Sequence, residues 1–404
     1  MRGPYPVLGT ALRTSAEQAA LVNGTLSAAL EFDDVLSLMP GHPSAVVMAA
    51  LCACDAALNA DGHAVIEAYA VGVEAGARVA QALTLDHYKR GFHATGTVAL
   101  FSAVAALARI ERFSVETTQR AIGIAASFSS GLHGNFGTMT KPLHSGWAAR
   151  NAVAAVTLAR CGLTASPNIF ETQGGYFDAY GSPSSDLAHV EGLFGNPWVF
   201  DEPGVTLKLF PCCYATHRGI DAMLQLKQEL GVGPDDVERV ICRVPPGGLI
   251  PLKFARPKTH FESLFSMPYA LAVALLDGHP GLRSFKDGRV LASDVADALG
   301  IIEVTESETC VADHPDFASK SYGSRGEVQV EIRTRDGRSA SRRVVIAPGH
   351  PDRAVTWDQA RAKFLDCAQV AGLKEAPARN LFQRLQALES EPRFGALVAE
   401  LTTP

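Results

Sequence analysis

The 404-residue sequence predicts a mainly α protein with a smaller α+β second domain, and three features carry that prediction. Ala-rich, apolar segments follow one another from Ser15 to about residue 162. A two-residue alternation then breaks that texture, with Val328, Val330 and Ile332 set against Gln329, Glu331 and Arg333. Helical texture returns after Pro351. A chain of this length exceeds what one hydrophobic core usually organises. The expected division is a discontinuous helical domain, residues 1–206 with 347–404, interrupted by an α+β lid at 207–346.

Taken in chain order, Ser15 with Gln18 resembles a capping box opening the first helix. Segments 44–60, 63–83, 95–110 and 115–128 follow, each apolar around most of its circumference, as helices packed inside a large helical body are. Residues 237–244, rich in Val and Ile between charges, read as a strand. The Asp336-Gly337 pair supplies the positive-φ turn of a hairpin whose returning strand is expected at 343–346. Thr356 and Gln359 form a second capping box, ahead of helices reaching residue 370 and spanning 378–388.

Hydrophobic residues at 47% and charged residues at 19% describe an ordinary well-packed chain. The formal net charge of -6, with basic residues scattered, gives no footprint for nucleic acid or an anionic membrane surface. The opening MRGPYPVLGT has no apolar signal core, and the most apolar stretch, 95–110, is too short to span a bilayer. A cytoplasmic protein is expected. The eight cysteines have neither zinc-site spacing nor the density of a disulfide scaffold. No P-loop, G-x-S-x-G, H-E-x-x-H or C-x-x-C motif is present, so the chemistry is expected to rest on dispersed side chains, without cofactor or metal.

Four segments hold candidate residues. LEFDDVLSLMPGHPS (30–44) ends a helix in Glu31, Asp33 and Asp34 and then delivers His42 ahead of Pro43, which favours an extended His42 at a helix entrance. Acids at a helix C-terminus oppose the macrodipole and need a partner or a purpose. KRGFHATGTVA (89–99) brings His93 to the start of an apolar helix, a placement that alone is more often structural. GTMTKPLHSGWAARN (137–151) sets Lys141 before Pro142, with His144 in the first turn of the helix that follows. Free N–H groups, a positive helix end and a lysine together suit a carboxylate. LKLFPCCYATHRGID (207–221) combines Lys208 with Cys212, Cys213 and His217; adjacent cysteines suit neither zinc nor a disulfide, and Cys212 is expected to be packing.

These four segments and FSMPYALAVALLDG (265–278), in this order over nearly the whole chain, resemble the successive signatures of the MmgE/PrpD family. That family includes 2-methylcitrate dehydratase, cis-aconitate decarboxylase and iminodisuccinate epimerase. The resemblance implies a helical domain built from both chain ends, an α+β lid, a homodimer, and a small polycarboxylate bound between the domains. It implies catalytic roles for Asp33, His42, His93, Lys141 and Tyr269, and substrate contacts from Glu31, Asp34, Lys141, His144, Lys208 and Cys213. A 2-methylcitrate dehydratase-like elimination is the leading expectation; epimerisation of an iminodisuccinate-like acid and cis-aconitate-type decarboxylation are the alternatives. A non-catalytic acid-binding paralogue, or a hydratase holding a cation among Asp33, Asp34, His42 and His93, are more distant ones.

Three departures from the family pattern stand out. Glu31 replaces the first Asp of a D-F-D-D-T motif, and Val35 replaces its Thr. Cys213 stands where the cis-aconitate decarboxylases carry a histidine, which weighs against that activity. Met1 falls inside the family's usual first domain, and a shortened chain or a displaced start codon is the expectation there.

Overall fold

A computed structural model describes residues 3–311 and 323–402, and these form a mainly helical protein with a small α+β part. The first hydrophobic core gathers the helices Ala16–Ala29, Pro43–Leu51, Gly62–Leu83, Ala99–Ile110, Val115–Ala126 and Thr140–Arg160. Leu381, Phe394, Leu397 and Val398, from the other end of the chain, complete it. Alanine dominates its buried positions, and small side chains let helices approach closely. A close approach joins Ala16–Ala29 to Thr140–Arg160: a Cβ on Gly24 would lie 2.8 Å from Gly146 Cα, and one on Gly146 would lie 2.1 Å from Leu21 O. The end of the first helix therefore lies beside the start of the second.

The second core lies between one face of a four-stranded sheet and the helices His217–Leu230 and Met267–Asp277. The sheet order is Ile302–Glu306, Val237–Val244, Val328–Thr334, Ser339–Val344, with the first pair parallel and the others antiparallel. Val240, Cys242 and Val244 are buried and alternate with the more exposed Arg239 and Arg243, so one face is apolar and the other, where Ile241 alone is buried on this strand, is mixed. The hairpin turns at Asp336-Gly337, with Gly337 at φ 85°. Its returning strand starts earlier than expected, at Ser339, because Val328 pairs with Val344 and Arg333 with Ser339.

Two helical segments are divided. Residues 44–60 break at Cys52–Cys54 into Pro43–Leu51 and Asp55–Asn59, and 95–110 breaks at Val98. The box at Thr356 and Gln359 forms with both reciprocal hydrogen bonds, whereas at Ser15 only the hydroxyl accepts, from Gln18 N–H. A two-residue ladder, Asp34–Val35 against Thr206–Leu207, ties the loop after the first helix to the segment entering the sheet part.

Candidate active site

The candidate residues are brought together by how the elements end. After Ala16–Ala29, Glu31 takes a φ of 50°, a left-handed conformation that costs a non-glycine residue about 1–2 kcal/mol. The following ladder pairs Asp34 with Leu207, and Lys208 N–H donates to Asp33 O at 3.3 Å. Lys208 thus lands against the acids although it is far away in sequence. His42 caps Pro43–Leu51 with Pro43 in the first turn, as expected. His93 precedes the short helix Ala94–Thr97, anchored by its N–H on Gly131 O at 3.0 Å. Lys141 lies in the first turn of Thr140–Arg160, next to Glu31.

A continuous network of charges follows. Lys141 Nζ donates to Glu31 Oε1, and Glu31 Oε2 accepts from Lys208 Nζ at 3.0 Å. Lys208 also donates to Asp33 Oδ1 at 2.9 Å, and Asp33 Oδ2 lies 3.5 Å from His42 Nδ1. All of these side chains are buried or nearly so. Burial alone would raise the Glu31 carboxyl, but the ammonium groups of Lys141 and Lys208 hold it far below the usual carboxylate range. Asp33 is likewise held down, against burial, by His42, Lys208 and Lys141. Lys208 is raised: Asp33 and Glu31 outweigh the effect of its burial. Two ammonium groups facing two carboxylates leave this network without net charge.

His42 Nδ1 also lies 2.7 Å from Asp34 O, a group that can only accept. The proton is therefore on Nδ1 and the lone pair on Nε2. Burial, reinforced by Lys141 and Lys208, pushes His42 down to about 4, so its imidazole is neutral at pH 7. The Asp34 carboxylate turns away, accepting from Ser44 Oγ at 2.6 Å and from Ser44 N–H. Burial and neighbouring Asp33 raise it to about 7.

These groups border a cavity of about 70 Å³ lined by Glu31, His42, His93, Lys141 and Cys213, with Tyr88, Phe136, Tyr214 and Phe265 among its apolar walls. That is room for several waters or a compact ligand. A larger cleft shares Pro40, Tyr214 and Gly323 with it and leads outward. The His42 and His93 ring centroids are 6.1 Å apart. His93 is fully buried and held well below its ordinary pKa by burial and by Lys141; its Nε2 has no partner among the described residues. Phe136 packs edge-on against its ring at 4.9 Å.

Other candidates lie outside the lining. Lys208, expected to contact substrate, stands behind Glu31 outside the lining with its ammonium engaged by the carboxylates of Glu31 and Asp33. His144 lies behind His93, Nδ1 to Nδ1 at 2.9 Å. Asp33 stands behind His42, and Asp34 faces Ser44. Tyr269 is not brought to the pocket: its hydroxyl donates to Ser284 O inside the second core. Cys212 is fully buried there, as its expected packing role requires, whereas Cys213 reaches the cavity with its thiol pushed up to about 11 by burial and Glu31.

Glu31, Asp33 and His42 offer ligand atoms within 4.8 Å of one another. Lys208 already places an ammonium on both carboxylates, and a metal ion would have to displace it. Sequence reasoning missed Phe136 and Phe265, although each stands at the edge of a motif it had marked. It also missed Lys363, which nothing in the local sequence signals. Lys363 Nζ donates to Lys208 O at 2.8 Å, lies 4.2 Å from the Phe32 ring centroid, and is lowered to about 8 by burial.

The sequence matches the model of the MmgE/PrpD N-terminal domain over residues 1–186 and that of the MmgE/PrpD C-terminal domain over 210–387. Among similar curated proteins are the cis-aconitate decarboxylases of Mus musculus and Homo sapiens. The mouse protein is 27% identical over 86% of this chain and 70% of its own length, the human one 25% over 87% and 73%. A cis-aconitate decarboxylase-like protein of Aspergillus oryzae is 29% identical over 90% of this chain and 77% of its own. With both domain models matched in order across the two cores that enclose the pocket, the chain belongs to the MmgE/PrpD family.

Proposed function

We propose that this protein is a cofactor-free lyase that moves protons next to the carboxylates of a small polycarboxylic acid, with 207–346 as the lid over a helical domain. The observation that carries the reading is the pair of neutral imidazoles, His42 and His93, which line one small cavity side by side with ring centroids 6.1 Å apart, together with Lys141. Lys141 meets a substrate carboxylate and neutralises enolate-like charge as a bond next to it breaks. His42, with its lone pair on Nε2, is the base, and an anionic substrate beside it raises its proton affinity. His93 Nε2 is the acid that protonates the departing hydroxyl in an elimination. Glu31, Asp33 and Lys208 hold Lys141 and His42 in place rather than touching substrate.

A second reading, decarboxylation, is favoured by the activity for which the similar mouse and human proteins are named. There His93 would protonate the carbon that has lost carbon dioxide. Cys213 occupies the cavity wall and is the residue on which the two readings divide. We also take the protein to be a cytoplasmic homodimer; the exposed Leu26, Leu30, Leu143 and Trp147 on two adjacent helices supply an apolar surface for a second copy.

NMR in deuterated water with citrate, 2-methylcitrate, cis-aconitate and iminodisuccinate tests the reading. Water loss, carbon dioxide loss or deuterium uptake next to a carboxylate is expected with one of them. Binding without any of these would mark an acid-binding paralogue and overturn the enzyme reading.

A further inference from the structure

Behind the cavity the structure holds a second imidazole that the reaction as described does not use. His93 and His144 meet Nδ1 to Nδ1 at 2.9 Å, a distance at which one nitrogen must carry the proton and the other the lone pair. The outer nitrogens differ. His93 Nε2 is sealed from solvent, has no partner among the described residues, and belongs to a residue that lines the cavity. His144 Nε2 has no hydrogen-bond partner among the described residues and is not among the sealed atoms, and His144 keeps 8% of its surface exposed against 1% for His93. The pair thus joins a residue of the cavity lining to one that keeps a small accessible surface.

We propose that His144 relays protons between solvent and His93, so that His93 Nε2 alternates between acid and base as one proton crosses the Nδ1–Nδ1 hydrogen bond. The inference rests on the reading of His93 as the acid. In the acid state His93 carries its proton on Nε2 and accepts at Nδ1 from His144 Nδ1–H. When His93 gives its Nε2 proton to the substrate, the His144 Nδ1 proton moves to His93 Nδ1, and water supplies a proton to His144 Nε2. One proton enters, one leaves, and both rings stay neutral. The reverse passage resets the pair for the next turnover: the proton that His42 took from the substrate reaches His93 Nε2 through cavity water, the His93 Nδ1 proton returns to His144 Nδ1, and His144 Nε2 gives its proton back to the hydroxide left in solvent.

Neutrality matters at this depth, because an isolated imidazolium is expensive to bury. Burial, then Lys141, lowers His144 to about 4, and His93 is held down by the same two causes, so a relay through imidazolium is disfavoured and a tautomer exchange is not. The geometry is fixed from both sides. His93 N–H is bonded to Gly131 O, Phe136 packs on the His93 ring, and a Cβ on Gly131 would come to 3.5 Å from His144 Cγ. His144 is accordingly a positioning and relay residue, acting through His93.

The test compares wild type, His144→Ala and His144→Phe on whichever acid the wild type turns over. His144→Ala should lose on the order of tenfold in kcat with KM unchanged, and imidazole added to the buffer should restore the rate in proportion to its concentration. His144→Phe, with the space filled, should lose as much and not respond. A wild-type rate in His144→Ala, or a loss that imidazole leaves untouched, overturns the relay. Should the wild type act on none of the acids, the parent reading fails instead. Imidazole ¹⁵N NMR of the free wild-type protein then decides the relay by itself: one protonated and one unprotonated Nδ1 are expected, and two of the same kind overturn it.

Discussion

The helical body and the sheet part border the same cavity but bring different things to it. From the helical body come Glu31, His42, His93 and Lys141, every ionisable group in the lining except two phenols and a thiol. The sheet side contributes Cys213, Tyr214, Ala215, Pro251 and Phe265, a mostly apolar wall, and sends the ammonium of Lys208 beneath the surface to Glu31 and Asp33. The difference teaches a division of labour: one part carries the proton chemistry, the other decides shape and dryness, and Lys208 is the point where the second part governs the charge of the first.

The comparison is broken most severely at that point. Lys208→Ala leaves two buried carboxylates facing only Lys141 and His42, and a loss of about 3–5 kcal/mol in denaturant-measured stability is expected. A loss below 1 kcal/mol would mean that Lys208 is not the counter-charge. Next come His42→Ala and His93→Ala, each expected to lower kcat by about 10²-fold or more while the melting temperature holds. Near-normal turnover in either would remove its assignment.

A smaller effect sharpens the comparison through pH. Asp34 titrates at about 7 in the folded protein, above its ordinary 3.8, so between those values the folded chain holds a proton that the unfolded chain has lost. Its contribution is therefore present below pH 4 and disappears as pH rises to 7. Asp34→Asn should match wild type near pH 4 and exceed it by about 1–3 kcal/mol at pH 8, the amide having given up one acceptor oxygen. His42, His87 and His144, each lowered to about 4 chiefly by burial, act in the opposite sense. They remain neutral while the unfolded chain protonates, so they remove stability as pH falls from about 6.5 to 4. Thermal unfolding across pH 4–8 separates the two. The smallest effect belongs to the wall: Cys213→Ala should change kcat/KM by only a few-fold and shift preference between acids, leaving the fold intact. A hundredfold loss would give the thiol a part in the chemistry.

Much of this was legible in sequence because the helical body announces its functional groups where helices begin. Pro43 after His42 and Pro142 after Lys141 mark helix entrances, and the structure puts both there. The hairpin was legible from Asp336-Gly337, although its register depended on cross-strand packing that no local signal carries. The parallel edge strand Ile302–Glu306 went unseen, its half-exposed, acid-bearing pattern giving no apolar face to read. Depth was not legible at all. Whether Lys208 faces a ligand or two carboxylates depends on a ladder joining residue 34 to residue 207, and whether Tyr269 points to a cavity or a core depends on which side of its helix the sheet covers.

The contact of Gly24 with Gly146 works as a fulcrum for all of this. Beyond it, seven residues on from Gly24, just past the end of its helix, and five back from Gly146 along the other, lie Glu31 and Lys141. A single methyl at either glycine would pry the two rods apart and misalign that ion pair without altering any residue a ligand could touch. Loss of activity in this protein can therefore originate in a place with no chemistry of its own.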